Sequence, residues 1–170
     1  MSTDDLHARR VRAVRAWTQF VAEGDEEAGV RPEILRSWQL SGVVSPAVTH
    51  APLDDEGDTA EFWNQSPLQT AVSRVQDELR RTAEDGDLVI AITDEQTRIL
   101  WTYGGRVMRR KAETVNFVPG GRWDEKSVGT NAMAIAGRTG APSMVFSAEH
   151  YAEVVHNWVC LLYTSDAADE

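Results

Sequence analysis

The sequence predicts an α+β domain, an antiparallel sheet flanked by helices and preceded by a helical N-terminal segment. Three observations carry that expectation. Two short β-branched runs, LVIAIT at 88–93 and ILWTY at 99–103, are separated by the five residues DEQTR, a spacing suited to an antiparallel hairpin. A helical stripe of Leu68, Ala71, Val72, Val75 and Leu79 runs just before them and needs a sheet to lie on. A further amphipathic pattern opens the chain.

In chain order, residues 5–22 read as a helix, with Val11, Val14, Trp17 and Val21 at three- and four-residue steps and Phe20 beside them. Arg9, Arg10, Arg12 and Arg15 make its front half basic, which fits a solvated face better than a DNA contact. A second helix opens at RPEILRSW. Pro32 suits a first turn, Glu33 complements the helix dipole, and Ile34, Leu35 and Trp38 share one face. Residues 41–65 read as loop, with Pro46, Pro52 and the acidic run Asp54, Asp55, Glu56 and Asp58.

Ser66-Pro67 then supplies a capping oxygen and a first-turn proline for a helix reaching about residue 82. After the hairpin, 107–115 reads as a short helix, and the Pro-Gly-Gly core of 117–123 requires a loop. Residues 126–137 read as helix, with Asp124 and Glu125 capping it and Gly137 and Gly140 stopping it. Residues 142–147 read as strand and 148–159 as helix. The resulting division is an N-terminal helical segment at 1–41, an acidic linker at 42–65 and a folded domain at 66–159.

With 170 residues and 42% hydrophobic residues, the chain has room for one domain with a real core. Its net charge of −10 argues against a general nucleic-acid surface in this stretch. The single Cys160 offers no disulfide framework or zinc cluster, and no apolar run approaches the ~20 residues of a membrane span. The polar start has no signal-peptide core, so a cytoplasmic location is expected.

No phosphate loop or dinucleotide fingerprint is present. Glu149, His150 and His156 cluster loosely. A histidine holding a loop by a hydrogen bond is the commoner outcome for such a group than a metal ligand. No nucleophile has a local signature for an oriented base, so no enzyme and no cofactor are expected. The densest group of unusual residues runs from Phe117 to Asn131, including Pro119, Gly120, Gly121, Trp123, Gly129 and Thr130. Such a loop and helix across a small sheet suit closure over a small ligand. They equally suit a tight turn that packs Trp123.

The string FVPGGRWDEKSVGTNAMAIA, followed by SAEHY and Trp-x-Cys, resembles the GAF sensor domain of acetoin-catabolism-type bacterial transcription activators. RPEILRSWQLSGV resembles the segment that precedes that domain, and VIAITDEQTRILW its first two strands. The resemblance implies a GAF-like antiparallel sheet with a small-molecule pocket. It also implies a homo-oligomeric regulator that reaches DNA through a separate C-terminal domain. The pocket candidates it points to are Trp101, Phe117, Trp123, Thr130, Asn131, Met133, Phe146 and Tyr151.

Thr97 and Ala134 stand where the family commonly has glycine, which predicts a different hairpin turn and crowding of close packing at the helix. A GAF module that only dimerises through its N-terminal helices is the alternative reading. A GAF-type sulfoxide reductase needs cysteines that this chain lacks, and the cyclic-nucleotide signature is echoed only at wrong spacing by Asn116, Phe117, Asp124 and Glu125. Finally, CLLYTSDAADE at 160–170 resembles one translated frame of a common transposase-based sequencing adapter. That predicts a non-native tail and a GAF sheet left incomplete at about residue 159.

Overall fold

Side-chain caps set the starts of three helices in this protein, at Asp55, Ser66 and Asn131. The computed structural model describes residues 3–24 and 29–163, and they fall into two compact units, Met1–Thr49 with Trp123–Glu170, and His50–Arg122.

In the first unit, α1 (Thr3–Glu23) and α2 (Pro32–Leu40) precede α6 (Ala132–Thr139), β3 (Ser143–Phe146) and β4 (Val159–Leu162). Strands β3 and β4 pair antiparallel, from Ser143 opposite Leu162 to Phe146 opposite Val159. The core gathers Ala16, Ile34, Trp38, Ala132, Ile135, Val145 and Tyr151. Ile34 and Trp38 are fully buried, and each large apolar side chain removed from water contributes about 1.5–3 kcal/mol before ordering entropy.

The second unit holds α3 (Glu56–Gln65), α4 (Pro67–Asp85), β1 (Val89–Thr93), β2 (Ile99–Gly104) and α5 (Arg106–Thr114). The expected hairpin forms, with Val89 opposite Gly104 and a register shift between Ile92 and Thr93. Ser66 Oγ accepts from the Leu68 amide at 3.2 Å and so starts α4. Val72, Ala83, Ile99, Leu100, Ala112, Val115 and Phe117 are buried.

Several expectations are corrected. Residues 41–65 are not all loop. Asp55 accepts from the Asp58 amide at 3.1 Å, and Glu56 and Asp58 complement the dipole, so the acidic run opens α3. In α1 the valines do not face the core. Ala13 and Ala16 are buried there because small side chains allow close approach, whereas Val11, Val14 and Val21 are exposed. The α4 stripe is likewise split, with Val72 buried and Leu68 and Val75 exposed.

Helix α6 begins at Ala132 rather than near 126, because Gly129 takes a φ of +76° and breaks the turn before it. Asp124 instead caps a tight turn, accepting from the Lys126 amide at 2.9 Å and the Ser127 hydroxyl at 2.7 Å. Helix α6 runs through Gly137 and ends at Gly140, whose φ of +67° closes the C-terminus. The expected helix at 148–159 is absent. Ser147 sits at φ +53°, two short 3-10 turns follow, and Val159 already belongs to β4.

Of the stretch expected to be a foreign tail, Cys160 and Leu162 pack against the first unit's core from β4, while 164–170 lie outside the described residues.

Candidate functional site

The first unit is organised around Glu149, which ends the 3-10 turn after β3. Its Oε2 accepts from the Phe146 amide at 2.8 Å and from Arg31 Nη2 at 2.8 Å, and Arg9 Nη2 lies 3.5 Å from Oε1. A carboxylate three residues into a turn reaches back to the first amide in this way. The Glu149 carbonyl accepts from the Trp38 indole at 2.8 Å. Arg31 Nη2 also donates to the Met144 carbonyl at 2.6 Å, and its Nη1 pairs with Glu33 at 2.9 Å. The start of α2 is thereby fastened to the strand β3 and the turn after it.

Next in sequence, His150 is fully buried. Its Nδ1 lies 2.9 Å from the Ser147 carbonyl, so the neutral ring carries its proton there. Burial pushes its pKa down to about 4, against the opposing pull of the Ser147 carbonyl. His150 Nε2 is left without a hydrogen-bond partner, as is Arg31 Nε. His156 Nε2 donates to the His150 carbonyl at 3.1 Å, and burial lowers its pKa as well. Its ring meets Trp17 edge-on at 4.6 Å, and the Trp17 indole donates to the Tyr151 carbonyl at 3.0 Å. Both histidines thus brace backbone, from irregular segments rather than from one helix. Among the described residues no cluster of His, Cys, Asp and Glu is arranged to hold a metal.

The loop before α6 is tied as closely. Asn131 Oδ1 accepts from the Ala134 amide at 3.0 Å, capping α6, while its Nδ2 donates to the carbonyls of Trp123 at 2.8 Å and Gly129 at 2.9 Å. Both amide hydrogens of Asn131 are therefore spent inside the protein. The Ser41 hydroxyl donates to the Ser37 carbonyl at 2.7 Å, so at the 3.1 Å contact between them Thr130 is the donor to Ser41. The Tyr151 amide donates to the Thr130 carbonyl at 3.2 Å. Ser37 donates to Glu125 at 2.6 Å, and Glu125 also accepts from Arg138 at 3.3 Å.

Of the eight candidate pocket residues, six lie in the first unit. Trp123, Thr130, Asn131, Met133 and Tyr151 are buried, and Phe146 is half-buried with the Arg9 guanidinium 4.6 Å above its ring. Trp101 and Phe117 belong to the second unit. Trp101 is half-buried and stacked with Tyr103 at 6.3 Å, and Phe117 is buried with its amide donating to the Ala112 carbonyl. An open groove of about 240 Å³ in the first unit is lined by Ala47, Val48, Thr49, Glu153 and Val154, none of which was a candidate.

The bracing by Arg31 and Glu149 was missed from sequence. Arg31 and Glu149 do stand in the two motifs singled out from sequence, RPEILRSW and SAEHY, but nothing local marks them as partners.

No protein-family model matches the chain. The chain is 33% identical over 138 residues to an uncharacterised 47.3 kDa protein in the thcA 5' region of Rhodococcus erythropolis, a match covering 79% of this chain and 32% of that protein. It is 27% identical over 161 residues to the acetoin dehydrogenase operon transcriptional activator AcoR of Bacillus subtilis (strain 168), covering 86% of this chain and 25% of AcoR. In fold it is similar to a chain of the crystal structure of the E. coli DhaR(N)–DhaL complex, with a TM-score of 0.69 and 19% identity over 76% of this chain and 45% of that one. The α+β organisation of helices with short antiparallel strand pairs is thus shared with that structure. The chain spans no more than about a third of the length of the curated relatives it matches. These matches lend no support to an adapter origin for 160–170.

Proposed function

We propose that this chain is the signal-sensing region of a bacterial transcription regulator, a non-catalytic GAF-type domain that responds to a small-molecule effector. The observation that carries this reading is the similarity to the activator AcoR along 161 aligned residues. Contact with DNA falls to another part of the regulator, in keeping with the net charge of −10 here. The regulator works in the cytoplasm, and no helix among the described residues is long and apolar enough to cross a membrane.

The effector is a small, largely apolar molecule with one or two hydrogen-bonding groups, with Trp123, Thr130, Met133, Phe146 and Tyr151 of the first unit as its candidate contacts. The spent hydrogen bonds of Asn131 and Thr130 hold the surrounding frame, so an effector acts by shifting packing rather than by replacing internal bonds. The fastening of α1 and α2 to the segment 144–151 gives such a shift a route to the N-terminal helices.

The test is a titration of the regulator with acetoin and related small ketones and alcohols, followed by tryptophan fluorescence and thermal midpoint. A saturable fluorescence change with a raised midpoint, both weakened in Met133→Trp, is the expected result. A folded regulator indifferent to the whole panel, with transcription likewise indifferent, overturns the reading.

A further inference from the structure

Two tight turns form the walls of the open groove in the first unit. On one side the Val48 amide donates to the Ser45 carbonyl at 3.0 Å, and the Ala47 amide to Ser45 Oγ at 3.2 Å. On the other, the amides of Val155 and His156 donate to the carbonyls of Ala152 at 3.2 Å and Glu153 at 3.0 Å. The Glu153 amide donates across to the Pro46 carbonyl at 3.0 Å and joins the two walls. Backbone bonds thus fix the shape of the groove, as in most small-molecule sites. At about 240 Å³ it falls below the roughly 300–1,000 Å³ of pockets for drug-sized ligands, so its occupant is small.

The lining combines aliphatic surface with one charge. Ala47, Val48 and Val154 supply the surface, and Val154 stays 41% exposed. Glu153 is the only charged residue of the lining, and among the described residues its carboxylate has no hydrogen bond or ion pair. Two neighbours leave it unneutralised. His156 feels the Glu153 charge, but burial lowers the pKa of that ring, which stays uncharged near neutral pH. Arg10 acts on the same ring and forms no ion pair with Glu153 among the described residues.

We propose that this groove binds a small aliphatic ammonium ion, with its charge on Glu153 and its alkyl body along Ala47, Val48 and Val154. Charge complementarity selects the occupant. A carboxylate beside aliphatic surface matches a cation on an aliphatic stem, whereas an anion is repelled and a neutral molecule leaves Glu153 unused. A metal ion is a poor match. Calcium takes roughly six to eight oxygen ligands, and the described residues hold no metal-binding cluster. The chain's net charge of −10 enriches cations around it and favours the same choice. An exposed ion pair contributes modestly, so the affinity is weak, roughly millimolar, and rests on charge and apolar contact together. The site is independent of the sensing role proposed above, since none of its residues is among the candidate effector contacts.

Titrating the whole chain with n-butylammonium chloride, followed by methyl NMR, tests it. The Val48 and Val154 methyl signals are expected to shift saturably. The uncharged analogue 1-butanol is expected to bind about two- to fivefold more weakly. Glu153→Gln should bring the ammonium ion down to the level of the alcohol and leave the alcohol's affinity unchanged. Ala47→Leu, on an exposed wall, should weaken both ligands by occupying the groove at an unchanged thermal midpoint. Equal affinity for the ion and the alcohol, or wild-type binding of the ion by Glu153→Gln, overturns the assigned charge. Wild-type affinities in Ala47→Leu place binding elsewhere and overturn the site. Shifts spread over the acidic surface with Val48 and Val154 unmoved, or no shift at ligand concentrations far above millimolar, overturn the proposal outright.

Discussion

Arg31 and Glu149, 118 positions apart in the chain, meet at 2.8 Å. Each is also tied to backbone close by: Arg31 donates to the Met144 carbonyl, and Glu149 accepts from the Phe146 amide. The pair therefore does more than neutralise charge. It fixes the start of α2 against β3, beside the fully buried Trp38, whose indole donates to the Glu149 carbonyl. Any movement of the turn after β3 is felt at α2 and its start through two bonds at once, and movement of β3 through the Met144 carbonyl.

Removing the Glu149 carboxylate leaves the Phe146 amide without its acceptor and Arg31 with Glu33 as its remaining carboxylate partner. Glu149→Ala is expected to lower stability by about 2–3 kcal/mol, the scale of losing a hydrogen bond to a charged group and stranding its partner. The urea midpoint reads the effect. Arg31→Lys keeps the charge but cannot serve Met144, Glu149 and Glu33 together, so it is expected to recover less than half of the stability that Arg31→Ala loses. A fully wild-type midpoint in Arg31→Lys would show that charge alone matters.

Gly129 is held by two independent constraints. Its φ is +76°, and a Cβ placed there would lie 2.6 Å from the Tyr151 Cβ. Trimming Tyr151 cannot relieve that contact, because any residue but glycine keeps its Cβ. Gly129→Ala is expected to cost at least about 3 kcal/mol, combining left-handed strain with forced repacking. Loss of a cooperative thermal transition is the expected observation, and a midpoint within a few degrees of wild type would contradict the packing described.

The hairpin, α2 and the start of α4 were legible because their signals are local: β-branched runs, a first-turn proline, a serine cap. Asn131 was singled out as unusual but read inside a helix over 126–137; it caps α6 instead, and nearby Gly129 explains why α6 does not begin at Lys126. What failed was long-range. The sequence shows that α1 is apolar at Val11, Val14, Val21, Trp17 and Phe20, but the core took Trp17 and Phe20 together with Ala13 and Ala16 and left the three valines exposed. Segment 148–159 looks helical by composition. It is broken by Ser147 at φ +53° and by histidines that bond to backbone carbonyls, neither of which local propensity reports. The candidate residues were recognised as unusual, yet their spent hydrogen bonds, Asn131 above all, are visible only in the folded chain.

His150 makes stability depend on pH in a definite direction. Its pKa is pushed down to about 4 in the folded chain by burial, from an ordinary 6.5. Between those values the unfolded chain binds the proton and the folded chain does not, so stability rises with pH across that window. The protein is therefore expected to hold its full stability above about pH 6.5 and lose it progressively toward pH 4. His156, also lowered by burial, adds to the slope in the same direction. Urea midpoints at pH 7 and pH 5 should differ in wild type and differ less in His150→Asn, and an equal slope in both chains would assign the effect elsewhere.

Thr97 closes the β1–β2 hairpin at φ +61°, in the left-handed region where a β-branched side chain is strained. The Asp94 carboxylate accepts from the amides of Gln96 at 3.0 Å and Arg98 at 2.9 Å, and the Thr97 amide donates to the Asp94 carbonyl at 3.0 Å. The turn is thus imposed by Asp94, and Thr97 conforms to it. Glycine takes that backbone without strain but gives up more freedom on folding, about 0.5–1 kcal/mol, against roughly 1–2 kcal/mol of relieved strain. Thr97→Gly is accordingly expected to stabilise the chain by about 0.5–1 kcal/mol, read as a thermal midpoint raised by a few degrees. Asp94→Ala is expected to remove that gain along with the three bonds its carboxylate accepts from Gln96 and Arg98. A Thr97→Gly chain less stable than wild type would mean that the buried threonine side chain contributes more than its backbone costs.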